Sequence, residues 1–125
     1  MILENLKHGD RCEMLVNYDG NSFGSIVTFS HMSKDRNEKP AGIFSPEGEP
    51  DMQSMMMLYA EEVKPALNIG QRVYHVDIYD GHECMEVVGL RSGQVKLRGD
   101  YSGGTHNVSQ TSWMSIDGIM FNKNK

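Results

Sequence analysis

Five side chains in the second half of this chain could together hold a metal: His75, Asp77, His82, Cys84 and Glu86. They flank an Asp80-Gly81 step, and Asp-Gly between β-rich runs predicts a two-residue hairpin turn, whose central residues both need positive φ. Such a turn pairs Tyr79 with His82, Asp77 with Cys84 and His75 with Glu86. Cross-strand partners share a face about 5 Å apart, and imidazole, thiolate and carboxylate all ligate zinc. No CxxC or HxxxH spacing supports a metal centre, so a solvated hairpin face is expected, with no metal or cofactor. Catalytic signatures are missing as well: there is no GxSxG, P-loop or HExxH. A Cys84 nucleophile beside His75 or His82 leaves a small hydrolytic or metal-dependent enzyme as a distant third reading, and no catalytic residue is assigned.

Two further groups suit binding. Tyr79, Tyr101 and Trp113 could converge at one end of the second half, where their ring faces, with Asp80 or Asp100, would attract a cation or a methylated ammonium. The plainer reading makes Trp113 core and the tyrosines turn flankers. Arg91, Lys96 and Arg98, with His106 nearby, form a basic strip that could follow a nucleic-acid backbone while bases stack on the aromatics.

The strands and turns that carry these residues are written twice. Residues 6–20, LKHGDRCEMLVNYDG, align without a gap on residues 67–81, LNIGQRVYHVDIYDG, with six identities in fifteen. Composition alone gives about one, and self-similarity at a fixed offset means one structural unit used twice. Position by position, the five candidate metal ligands face Met14, Val16, Asn21, Phe23 and Ser25, so no metal site repeats. The return strands align next, with Phe23, Ile26, Val27 and Phe29 against Cys84, Val87, Val88 and Leu90. Further on, Met52, Met57 and Val63 face Val108, Trp113 and Ile119, leaving five extra residues in the first copy, in SHMSKDRNEKP or around SPEGEP. Met52, Met55, Met56, Tyr59 and Val63 are also spaced as one helix face, whereas their counterparts read as strand, so residues 52–63 are open between the two.

Each copy thus holds about five short strands: an early hairpin, a polar connection and a late strand-turn-strand. Gly70, the Asp80-Gly81 turn, Val95, Leu97 and the closing SWMSIDGI carry a resemblance to SH3-like barrels of the Tudor and KOW type. The expected fold is all-β, two tandem SH3-like antiparallel barrels related by duplication: residues 1–66, with a longer polar loop at about 30–50, and residues 67–125. The resemblance implies a binding module rather than an enzyme.

Charge narrows the ligand. Residues 1–66 carry six Lys/Arg against eleven Asp/Glu, and residues 67–125 carry six of each. The net charge of −5 disfavours non-specific nucleic-acid binding and favours a basic partner for the first half. The expectation is non-enzymatic recognition of a protein or peptide around Tyr79, Tyr101 and Trp113, with nucleic acid at Arg91, Lys96 and Arg98 as the alternative. The ten methionines, three of them consecutive at Met55–Met57, suit core gaps or an adaptable protein-binding surface. With two cysteines and neither a signal-like apolar run nor a membrane span, the expected compartment is the cytoplasm.

Overall fold

A computed structural model describes residues 1–18, 20–47, 55–99 and 110–124. The chain divides into two compact units, Met1–Ala66 and Leu67–Lys125. The first contains β1 (Arg11–Met14), β2 (Ile26–Lys34), β3 (Pro40–Pro46), β4 (Met56–Leu58) and β5 (Val63–Pro65), an antiparallel sheet in the order β4-β3-β2-β1-β5. The second contains β6 (Arg72–His75), β7 (Met85–Arg91), β8 (Gln94–Gly99), β9 (Met114–Ser115) and β10 (Ile119–Met120), in the matching order β9-β8-β7-β6-β10. In each unit a 3-10 turn, Ala60–Glu62 or Ile116–Gly118, separates the last two strands.

The all-β expectation of two tandem antiparallel units holds, with sheets that are curled but do not close into barrels. Five flat strands would place β4 and β5 about 19 Å apart. The five residue steps from Leu58 to Val63 reach at most about 18 Å fully extended, and the 3-10 turn shortens them further, so the sheet must bend. Among the described residues, however, no ladder joins the edge strands, which are only three residues long in the first unit and two in the second.

Strand register shows the duplication more sharply than the sequence does. Cys12 lies opposite Val27, and Val73 opposite Met85. Val27 therefore corresponds to Met85 and Phe29 to Val87, three residues from where the ungapped alignment put them. Both second strands bulge at that position, between Phe29 and His31 and between Val87 and Gly89. Fourteen residues separate Phe29 from its partner Phe44, and nine separate Val87 from Leu97. The five-residue insertion thus lies in the β2–β3 hairpin. The entry to each sheet repeats in detail. Gly9 and Gly70 both have left-handed φ, of 98° and 90°, and donate to the carbonyls of Phe29 and Val87. The side chains of Asp10 and Gln71 accept from the Lys7 and Asn68 amides.

The two cores fill one space differently. In the first unit Phe29 and Phe44 meet edge to face, with centroids 5.5 Å apart, over Gly42, where a Cβ would lie 2.6 Å from the Phe44 ring. The second unit has Val87 and Leu97 in place of the two rings and Val95 in place of Gly42, all fully buried. Smaller neighbours make room for a larger residue, as close packing requires.

Met56–Leu58 is strand and not helix: Met56, Met57 and Leu58 pair with Phe44, Ile43 and Gly42 and alternate buried, half-buried, buried. Burial against β3 overrides the helical preference of methionine. The Asp80-Gly81 hairpin also differs from expectation, because β6 ends at His75 and β7 begins at Met85. His75 lies opposite Ile119 rather than Glu86, whose partners are Arg72 and Arg98.

Candidate functional site

The connection between β6 and β7 ends in an unusual backbone. Tyr79, Asp80 and Gly81 form a 3-10 turn with φ of 47°, 54° and 79°, all left-handed. For residues other than glycine this region costs about 1–2 kcal/mol each, so the turn needs external support. The chain's end provides it. The Asn124 side chain donates to the Asp80 carbonyl at 2.8 Å, and the Asn124 amide donates to Gly81 at 3.0 Å. Gly81 is buried beneath Met120, where a Cβ would lie 2.0 Å from the Met120 methyl.

Held this way, Tyr79 is 66% exposed on the rim of a groove of about 200 Å³. Ile78 and Met85 give the groove an apolar wall, Thr111 and Gln110 a polar one, and Glu83 an acid. The corresponding tip of the first unit is also aromatic. Tyr18 and Asn21 exchange both backbone hydrogen bonds at 2.8 Å around the Asp19-Gly20 step, with Asp19 itself outside the described residues. Phe23 beside it is 63% exposed, and the Asn17 side chain accepts its amide proton at 2.8 Å.

A second group lies on the outer face of β7 and β8. The Arg91 guanidinium stands 4.2 Å and the Lys96 ammonium 4.9 Å from the Trp113 ring centroid. Trp113 packs on Gly89, where a Cβ would come within 3.0 Å of the indole, and it stays half-buried outside the core. Arg91 Nε donates to Gln94 Oε1 at 2.6 Å. Arg98 stands apart from this group and is ion-paired with Glu86. The structure therefore joins Arg91 and Lys96 to Trp113 and places Tyr79 and Asp80 on a separate loop tip. Tyr101, Asp100 and His106 lie outside the described residues.

The candidate metal-ligand set is dispersed. His75 is fully buried; its Nδ1 accepts from the Asp77 amide at 3.1 Å, which leaves Nε2 to donate to the Ser115 carbonyl at 2.9 Å. With both nitrogens engaged and Gly118 packed against the ring, this histidine is a structural element of the second core. Cys12 is buried too. Loss of hydration, with the Asp10 carboxylate nearby, pushes its thiol up to about 12, so it is not a nucleophile at neutral pH.

Sequence reasoning missed one surface network. In the β2–β3 hairpin, Asp35 accepts from the Lys39 and Asn37 amides and from the Tyr59 hydroxyl at 2.6 Å. The Tyr59 bond, chiefly, holds the Asp35 carboxyl below its usual value. Lys39 sits 4.3 Å over the Tyr59 ring and bonds Glu61 at 2.8 Å. The residues span 27 positions of sequence, Asp35 to Glu61, and only the Asp and Asn side chains of the hairpin hinted at a locally bonded turn.

The chain matches no known family model, and comparison with curated proteins finds no relative.

Proposed function

We propose that this protein is a non-enzymatic recognition module made of two SH3-like units, and that it binds a basic protein or peptide segment through the Tyr79 tip. The order of five antiparallel strands, with the last returning to the first, is compatible with that architecture. The observation that carries the binding reading is Tyr79 itself. A tyrosine this exposed contributes little to the core, and a left-handed backbone is costly for it. Backbone strain of that kind is characteristic of functional positions. The same Tyr-Asp-Gly sequence occupies the tip of the first unit, although Asp-Gly alone would make the turn.

Groove chemistry supports the choice of ligand. An apolar wall of Ile78 and Met85 suits an aliphatic side chain or stem, while Glu83 and Asp80 attract a positive group and the Tyr79 ring offers a cation–π face. The cytoplasm is the compartment we propose, a reading favoured by the two free thiols, Cys12 and Cys84.

Titration of the ¹⁵N-labelled chain with a pool of Lys/Arg-rich peptides tests the proposal. Saturable shifts are expected at Ile78–Glu83 and Thr111, with at least a tenfold weaker affinity in Tyr79→Ala, the loss of about 1.4 kcal/mol typical of a binding anchor. Shifts that avoid this loop, or an unchanged affinity in the variant, would refute it.

A further inference from the structure

We infer that the outer face of β7 and β8 is a separate site for single-stranded nucleic acid, formed by Arg91, Lys96 and Trp113. It stands independently of the Tyr79 groove.

The first observation is electrostatic. Four of the chain's cations are ion-paired, Arg11 with Glu47, Lys39 with Glu61, Lys64 with Glu13 and Arg98, the neighbour of Lys96 on β8, with Glu86. Arg91 and Lys96 have no carboxylate partner among the described residues; their contacts are the Trp113 ring and the neutral Gln94 amide. In a chain of net charge −5, two adjacent unneutralised cations make a local anion-seeking patch.

The second observation comes from the duplication. Strand register places Ser33 where the second unit has Arg91, Ile43 where it has Lys96, and His31 where it has Gly89. Met57 takes the place of Trp113, since Gly42 faces Leu58 as Val95 faces Met114. Four neighbouring surface positions thus differ together, while the ladder and bulge beneath are kept. Gly89 does not need its conformational freedom, having no left-handed φ; its lack of a side chain gives the indole a seat. The shared fold accommodates the first unit's neutral residues, so fold maintenance does not explain the second unit's set.

The third observation selects the ligand. Two cations alone would accept any anion. An indole in contact with both adds a π-surface, and phosphates beside stackable bases are what a single strand offers and an acidic peptide does not. With two phosphate contacts the site is weak and salt-sensitive: the logarithm of the affinity should fall with the logarithm of salt at a slope of about 1.4.

Trp113 is the sole tryptophan, so its emission reports on this site alone. A short oligothymidylate should perturb that emission saturably, with the stated slope. Lys96→Gln and Arg91→Ser, the latter installing the first unit's residue, should each weaken binding at least tenfold and reduce the slope to about 0.7. Lys96→Arg should retain both affinity and slope, which distinguishes loss of charge from disturbance of the strand. No saturable change with the oligonucleotide, or variants that bind like the parent chain, would overturn the inference. Polyglutamate binding as tightly as the oligonucleotide would overturn it in favour of an acidic protein ligand.

Discussion

Cys12 and Cys84 show how placement decides chemistry for a single side chain type. Cys12 lies on β1 facing the core, fully buried, with its thiol pushed up to about 12. Cys84 lies in the β6–β7 connection, half-buried, with its thiol against the Tyr74 hydroxyl. Only the thiolate attacks an alkylating agent. Iodoacetamide at neutral pH should therefore add one group per folded chain, at Cys84, and a second only after denaturation, as read by peptide mass spectrometry. Rapid modification of Cys12 in the folded protein would contradict the burial. Sequence alone could anticipate two apolar-packing thiols but not which one solvent reaches. His75 carries the same lesson: its residue type suggested a metal ligand, yet the Asp77 amide and the Ser115 carbonyl occupy both ring nitrogens.

Paired strands trade volume between units, and that exchange gives a prediction for elements. Gly42 of β3 is small because the Phe29 and Phe44 rings fill the space above it. Gly42→Val, copying Val95, should destabilise the first unit by about 1–3 kcal/mol through overpacking. Adding Phe44→Leu, copying Leu97, should recover part of that loss, so the double variant would be more stable than the sum of the singles requires. Urea denaturation of the four chains measures this coupling, and strict additivity would refute the shared-volume argument. Alternation and turn signals made the strands legible, because side chains on a half-buried strand must alternate. The bulges at Phe29 and Val87 were not legible, since one extra residue in a ladder leaves no mark on composition. The three-residue misalignment of the return strands has a separate source: fifteen residue steps lead from Cys12 to its partner Val27, but only twelve from Val73 to its partner Met85. The same limit applied to Met56–Leu58, where burial against β3 decided between two local patterns.

For the whole chain, each unit carries its own five-strand sheet and its own buried cluster. Residues 67–125 expressed alone should therefore give a dispersed amide spectrum and a cooperative melt, though a modest one, because units of about 60 residues bury little surface. A collapsed spectrum would show that the second core requires the rest of the chain. The duplication, the all-β class, the short strands and the uneven charge are all legible in the amino-acid order alone. These follow from identities, alternation and composition, which act locally along the chain. Packing in three dimensions settled that the sheets stay open and that Tyr79 stands on a left-handed turn held by Asn124. It likewise decided that Arg91 and Lys96 meet at Trp113 while Arg98 is neutralised by Glu86. Each of these depends on residues distant in sequence being brought together, and contact across a fold is settled by packing, which no local pattern records.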